Sequence, residues 1–98
     1  MKTDKTIKFK QWECAVIFLS YGNGRTAISL DEVGTGEPIA VASVNLPDAT
    51  INEDEVIIKN WSENEGVLEA LVEAGIVTPL RKLFTGFVQA DVCKLNVE

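Results

Sequence analysis

Hydrophobic and polar residues alternate along the first half of the chain in a pattern that predicts β-strands. Residues 6–21 are rich in Val, Ile, Phe, Trp and Thr, the residue types that strands favour. At their centre both alternating sets are apolar. One set is Cys14, Val16 and Phe18, and the other is Ala15, Ile17 and Leu19. We therefore expect one long strand or two short ones, covered on both sides.

Glycine-containing turns divide the next residues into two further strands. The sequence Tyr-Gly-Asn-Gly-Arg at residues 21–25 predicts a hairpin loop, because glycine and asparagine tolerate positive φ. Residues 26–30 alternate cleanly and form the second expected strand. The sequence Gly-Thr-Gly-Glu-Pro at residues 34–38 predicts another turn, and residues 39–46 a third strand. Together these segments predict a three-strand antiparallel meander.

A change to three- and four-residue spacing marks the single predicted helix. Ser62 and Glu65 have the spacing of a capping box, in which each side chain accepts the other residue's backbone N–H, so the helix should begin near Glu63. Apolar residues then recur on one side of a 3.6-residue repeat: Leu68, Leu71, Val72 and Ile76. Gly75 suits a left-handed C-terminal cap, and Pro79 prevents continuation.

Short strands are expected on both sides of this helix. Residues 56–59 precede it, residues 80–85 follow it, and residues 87–95 alternate as a strand with one wet face. A single domain, residues 1–98, is expected, because 98 residues with 46% hydrophobic content suffice for one core. The predicted fold class is α+β: an antiparallel β-sheet, with the N-terminal meander plus two or three further strands, packed with a single α-helix.

Negative charge is concentrated in the middle of the chain. The formal net charge is −6, but residues 31–73 hold eleven acidic residues and one basic residue, a local net charge of −10. This region would repel a phosphate backbone, so direct binding of nucleic acid is not expected. Glu65, Glu69 and Glu73 lie four apart and predict an acidic ridge on the helix. The ridge is either a solvated face or a surface for a basic partner.

The sequence offers little for catalysis or for metal binding. It has no histidine, and Cys14 and Cys93 lie far apart, which argues against a zinc site and against Cys–His catalysis. Both thiols are expected in the core. Asp54 and Glu55 are adjacent carboxylates, but no histidine is present to work with them near neutral pH. We expect no enzymatic activity, no cofactor and no metal.

The hydropathy of the chain predicts a cytoplasmic protein. The first ten residues are mostly hydrophilic, and the longest purely apolar run covers only residues 14–19. A signal peptide or a membrane-spanning helix needs a longer apolar segment, so neither is expected.

Three parts of the chain resemble a known family. They are IKNWSENEG and LEALVEAGI within residues 58–76, GRTAISL at residues 24–30 and VASVNLP at residues 41–47; residues 61–66 are the most specific. These segments resemble a family of small proteins encoded by phages, plasmids and other mobile elements, a domain of unknown function. The resemblance implies a genomic context and supplies no catalytic residue. Small acidic proteins in that context often bind and block a host defence protein, as anti-CRISPR proteins do.

The function we expect is therefore that of a small acidic mobile-element protein that binds and inhibits a host defence protein complex. Its acidic residues would mimic nucleic acid and occupy a basic groove, with Trp61 as an aromatic anchor if its side chain is exposed; a role in the core is the favoured alternative for Trp61. The residues expected to contact the partner are Glu53, Asp54, Glu55, Trp61, Glu63, Glu65, Glu69 and Glu73. The expected partner is a host protein, without direct nucleic-acid or membrane contact.

Two other functions remain open from the sequence. A small-ligand binding protein would sequester a nucleotide signal if four residues converge to stack on a base and to pair with phosphates: Tyr21, Arg25, Arg81 and Lys82. An accessory protein of phage or plasmid maintenance is the other, and no residue pattern separates it from an inhibitor.

Overall fold

A computed structural model describes residues 2–86 and 88–96, which form seven strands, one short 3-10 helix and one α-helix. The N-terminal strands are β1 (Lys2–Phe9), β2 (Trp12–Ser20), β3 (Thr26–Glu32) and β4 (Pro38–Val41). The remaining elements are β5 (Glu55–Ile58), the 3-10 helix (Ser62–Asn64), α1 (Val67–Glu73), β6 (Val77–Phe84) and β7 (Gln89–Leu95).

The strands form two antiparallel sheets. The first sheet has the order β1-β2-β3-β4, and the second has the order β5-β7-β6. A β-bridge between Ser43 and Ile58 joins the sheets, and the Lys59 N–H donates to the Ala42 carbonyl at 2.8 Å beside it. This arrangement confirms the predicted α+β class, with an antiparallel sheet meander followed by further strands and a single α-helix.

Several strand boundaries differ from the predicted ones. Residues 6–21 belong to two strands, one of the two predicted alternatives, because Lys10 takes a φ of 58° and reverses the chain; the first of them begins earlier than predicted, at Lys2. The predicted third strand, residues 39–46, is shortened to β4 and continues only as the bridge at Ser43. The last predicted strand began at Phe87, which lies outside the described residues.

Strand β6 begins three residues earlier than predicted and contains Pro79. β6 is an edge strand of the second sheet, where a missing N–H is tolerated. Its pairing with β7 is irregular between Pro79 and Arg81, which leaves Leu80 out of register. The helix has already ended at Glu73, where Gly75 takes a φ of 75° and confirms the predicted left-handed cap, so Pro79 does not end the helix and lies within a strand.

One hydrophobic core lies between the two sheets and α1. In this core, alternate residues of β2 and β3 pack against alternate residues of β5 and β7. The helix α1 contributes Val67 and Leu71, both 0% exposed. α1 contacts β1 and β6, an outer strand of each sheet. The helix thus closes the side of the core that the bridged strands leave open.

A second, smaller cluster lies on the opposite face of the second sheet. Ile57, Ala90 and Val92 are buried there beneath the segment that connects β4 to β5. Partly buried residues of that segment pack on them: Val44, Leu46, Ala49 and Ile51. The second sheet is therefore covered on both faces.

The first sheet has packed elements on one face only, so the expected cover of residues 14–19 on both sides holds for Ala15, which is 6% exposed, and is wrong for Leu19. Cys14 and Val16 are buried in the core, but the alternating set that includes Leu19 points to the outside. Leu19 is 52% exposed, and Val41 of β4, on the same face, is 53% exposed. Within residues 2–86 and 88–96, no helix or second sheet packs on this outer face.

Candidate partner-binding surface

The turn between β5 and α1 is held by asparagines. Asn60 Oδ1 accepts the backbone N–H of Gly66 at 3.1 Å and that of Leu68 at 3.0 Å. These two bonds satisfy amides that the helix itself leaves without partners. Asn60, whose role the spacing of residues does not indicate, is therefore the side chain that caps the helix start.

The predicted capping box at Ser62 and Glu65 is wrong. Ser62 lies in the 3-10 helix with a φ of 59°, and its carbonyl, rather than its hydroxyl, accepts the Glu65 N–H at 3.2 Å. Gly66 then takes a φ of 97°, a left-handed conformation that interrupts any helix running through it. α1 consequently begins at Val67 instead of near Glu63.

Asn64 fixes the same turn to the rest of the fold. It is 2% exposed, and its Nδ2 donates to the Val41 carbonyl at 2.7 Å. Lys10 Nζ donates to the Glu63 carbonyl at 2.8 Å. The most specific part of the resemblance, residues 61–66, thus lies in a turn whose polar groups are used for structure.

Replacing Asn60 by alanine is expected to lower the free energy of unfolding by about 1 kcal/mol, the usual cost of a lost helix cap. Asn60→Asp keeps the oxygen acceptor and should retain most of the stability. Urea denaturation measures both. Ser62→Ala is the matched control and should cost no more than roughly 0.5 kcal/mol; a larger loss for Ser62→Ala than for Asn60→Ala would contradict this assignment of the cap.

Two of the exposed acidic residues lie on α1. Glu69 and Glu73 are exposed on the helix, four residues apart, and Val72 between them is 40% exposed. Glu65 is also exposed but precedes the helix, with an extended ψ of 128°. The three glutamates therefore do not form one regular helical ridge. None of them takes part in the ion pairs found among the described residues.

Glu63 is exposed and already paired. Lys59 Nζ lies 2.8 Å from Glu63 Oε2, and the Glu63 side chain is 67% exposed. The hydrogen bond from Lys59 is the main reason that the pKa of Glu63 is lowered to about 2. This ion pair leaves Glu63 with less charge to offer a basic partner than the glutamates of α1 have.

Glu53 and Asp54 lie at the other end of β5 from Glu63. Both are exposed in the segment before the strand, and the Asp54 carbonyl accepts the Leu95 N–H at 2.8 Å. The next residue, Asn96, donates to the Ile76 carbonyl at 2.9 Å just beyond α1. Asp54 and the C-terminal end of α1 therefore flank the same end of β7.

Glu55 does not belong to an acidic surface, so its prediction as a contact residue is wrong. The residue is 5% exposed, and Arg81 binds both of its carboxylate oxygens, at 2.9 and 3.0 Å. The Asn52 N–H donates to the same carboxylate at 2.9 Å. These bonds, the Arg81 bond first, lower the pKa of Glu55 to about 2. Glu55 stabilises the fold, because it joins β5, β6 and the preceding segment.

Trp61 is half-buried rather than freely exposed. Its side chain packs against the second cluster, which contains Ile57, Ala90 and Val92. A residue in this position supports the core of the second sheet. Its predicted role as an interface anchor stays a prediction for the part of the ring that solvent reaches.

The four residues considered for a nucleotide ligand each have a partner within the chain. The Tyr21 hydroxyl hydrogen-bonds Ser43 Oγ at 2.8 Å, and Lys82 Nζ binds Asp91 Oδ1 at 2.6 Å. Arg25 donates to the carbonyls of Leu46, at 2.7 Å, and of Ala49. Arg81 donates to both carboxylate oxygens of Glu55. These side chains hold loops and strands together and do not assemble an open phosphate-binding pocket.

The two cysteines are the remaining candidate groups. Cys14 and Cys93 are both free and 0% exposed, and burial raises the pKa of both thiols, that of Cys93 to about 12. Among the described residues, no group of three or more His, Cys, Asp or Glu side chains is arranged to hold a metal ion. Neither helix in this part of the chain has the length and apolar character needed to cross a membrane.

Comparison with known proteins adds no relative on which to base a function. No family model, curated protein or solved structure matches this chain. The geometry of the exposed side chains is therefore the basis for the functional proposal.

Proposed function

We propose that this chain is a binding protein that inhibits a host defence complex in the cytoplasm by occupying a basic surface of one of its proteins. The contact surface is the exposed side of α1, with Glu69 and Glu73, together with Glu65 just before the helix, and we call these three residues the α1 acidic surface. The single observation that carries the proposal is that all three carboxylates are exposed and outside the ion pairs found among the described residues.

The charges of the α1 acidic surface cost the fold stability. Like charges four apart on a helix destabilise it by roughly 0.2–0.5 kcal/mol per pair, which applies to Glu69 and Glu73. Glu73 also lies at the C-terminal end of the helix dipole, and no basic residue is present in the last turn. A surface that is kept at a cost in stability is consistent with a role in binding a partner.

The chemistry of this surface suits a partner that normally binds nucleic acid. Lys and Arg side chains that pair with phosphates also pair with carboxylates, because both are anionic oxygen acceptors. Exposed carboxylates attract such a partner over long range and raise the rate of encounter. Occupying the basic groove would exclude the nucleic acid and so inhibit the complex.

The test is a titration of the chain against candidate nuclease complexes at increasing salt. The double variant Glu69→Lys with Glu73→Lys should weaken binding about tenfold or more, since two attractive charges become repulsive. The matched control, Glu37→Lys with Asp48→Lys, changes the net charge equally at exposed positions away from α1. Equal losses in both variants, or wild-type binding that ignores salt, would contradict the proposal.

For a substitution in the α1 acidic surface we expect opposite effects on stability and on affinity for the partner. Glu73→Lys places a cation at the negative end of α1 and should raise the free energy of unfolding by about 0.3–1 kcal/mol. Its affinity for the partner should fall. Thermal unfolding and the titration above measure the two effects on one variant; a loss of stability in Glu73→Lys would show that Glu73 has a structural role instead.

A further inference from the structure

The loop between β2 and β3 carries a pair of residues whose chemistry the proposed function does not use. Asn23 and Gly24 are both exposed at its tip. The backbone nitrogen of the residue that follows an asparagine can attack the side-chain amide, and a glycine there has no Cβ to obstruct the attack. The chain has six asparagines, and only Asn23 precedes a glycine. This loop is therefore the place in the chain where such a reaction is least hindered.

Two hydrogen bonds orient the side-chain amide of Asn23. Its Oδ1 accepts the Arg25 N–H at 3.2 Å, which folds the side chain back over the peptide bond between Asn23 and Gly24. The same N–H would stabilise the negative charge that develops on Oδ1 during the attack, as a donor of an oxyanion hole does. The leaving group, Nδ2, donates to Asn45 Oδ1 at 3.2 Å. The amide is thus held beside the peptide nitrogen that would attack it.

One hydrogen bond of the turn opposes the reaction. The Gly24 N–H donates to the Tyr21 carbonyl at 2.9 Å, so the attacking nitrogen must first leave this bond and lose its proton. The pair lies at an exposed loop tip, however, and such tips open locally at a small cost in free energy. We therefore expect the turn to slow the reaction in the folded chain without preventing it.

We propose that Asn23 is a site of spontaneous deamidation, with water as the only co-reactant. The Gly24 nitrogen forms a bond to Asn23 Cγ, and Nδ2 leaves with the displaced proton as ammonia. Water then adds across one C–N bond of the resulting five-membered succinimide, its hydroxyl going to the carbonyl carbon and its hydrogen to the nitrogen. Opening at the side-chain carbonyl gives aspartate, and opening at the main-chain carbonyl gives isoaspartate. No atom is oxidised or reduced in either step.

Both products change the contact between this loop and the segment that connects β4 to β5. A carboxylate at position 23 has no N–H to donate, so the bond to Asn45 is lost and the chain gains a negative charge. Isoaspartate also adds one atom to the backbone of a turn that the Tyr21 N–H closes by donating to the Arg25 carbonyl at 2.8 Å. Arg25 in turn holds the connecting segment at the Leu46 carbonyl. The modified chain should therefore unfold at a lower urea concentration.

Peptide mapping by mass spectrometry tests the proposal on the full chain during incubation in mildly alkaline buffer. The peptide with Asn23 should show the conversion of amide to acid before any other asparagine does, and faster as the pH rises, because the attacking nitrogen must lose a proton. Gly24→Ala should slow the conversion by about tenfold or more, since its Cβ obstructs the attack. Gly22→Ala is the matched control: Gly22 lies outside the left-handed region, and its replacement leaves the reacting pair intact.

Asn23→Gln is a second variant, needed because alanine at Gly24, where φ is 88°, is strained. Glutamine keeps the amide but would have to form a larger ring, so the conversion at this position should be lost. Circular dichroism establishes that each variant is folded. Conversion of another asparagine ahead of Asn23, or equal rates for Gly22→Ala and Gly24→Ala, would overturn the proposal.

Discussion

Replacing Leu71 by alanine is expected to lower the free energy of unfolding by about 2–5 kcal/mol, the range for truncating a fully buried leucine. Leu71 is 0% exposed and lies in the main core, where α1 meets both sheets. The methyl groups removed would leave a cavity that the sheets, fixed by their backbone hydrogen bonds, fill only in part. For a domain of this length the melting temperature should fall by roughly 10–20 °C.

Val72→Ala is the matched control within the same helix. Val72 is 40% exposed, so its truncation loses little packing, and alanine has the higher helix propensity. We expect a change within about 0.5 kcal/mol. Thermal and urea unfolding of the two variants would therefore differ strongly, and similar effects at the two positions would contradict the placement of α1 over the core.

Local patterns in the sequence predicted most of the fold. The strand-favouring composition of residues 6–21 and the alternation of residues 26–30, with a glycine-containing loop between them, indicated the strands that the structure has as β2 and β3. The hairpin of β1 and β2 was less clear, because Lys10 reverses the chain at a positive φ without a glycine. A lysine gives no signal for a left-handed conformation.

The start of the helix shows how tertiary contacts override a local motif. Ser62 and Glu65 have the correct spacing for a capping box, but the Asn64 side chain between them is buried and donates a hydrogen bond to the Val41 carbonyl. The backbone therefore turns at Gly66, and Asn60 supplies the cap from six residues away. A partner so far outside the helix cannot be recognised from spacing alone, although the asparagines were visible in the sequence.

The candidate surface was predicted only in part, because exposure depends on which face a strand buries. Glu55 stands two residues before Ile57, so strand alternation assigns both to one face, and that face carries the second cluster. The alternation was visible in the sequence. The residue that pairs with Glu55 was not, because Arg81 is 26 residues away along the chain. The glutamates of α1 follow a helical period and were correctly placed opposite the apolar side.

Replacing Arg81 by methionine is expected to produce the second large effect, a marked loss of stability at neutral pH. The change removes the guanidinium but leaves Glu55, 5% exposed, as a carboxylate with only the Asn52 bonds. An unpaired charge held away from water is strongly destabilising. Adding Glu55→Gln to Arg81→Met should restore part of the loss, because a neutral amide tolerates burial better. A double-mutant cycle in urea measures the coupling.

The pH dependence of the free energy of unfolding should distinguish Arg81→Met from the native chain. In the native chain the pKa of Glu55 is about 2, below its ordinary value of 4.5, so the folded state holds the proton less tightly than the unfolded state. The stability that this site contributes is therefore complete above pH 4.5 and is lost as the pH falls toward 2. Without Arg81 the main cause of the lowered pKa of Glu55 is lost while the Asn52 bonds remain, so the loss of stability between pH 4.5 and pH 2 that this site contributes should shrink.

Lys59→Met provides the control for that measurement. It removes the partner of Glu63, whose pKa is also about 2 but whose side chain is 67% exposed, so water can solvate the carboxylate that remains. We expect only a small loss of stability and a modest change in how stability varies with pH. The same acid titration, followed by circular dichroism, should therefore separate the two variants. Equal effects would mean that burial of Glu55 by the segment before β5 does not control its charge, which contradicts the structural role assigned to it.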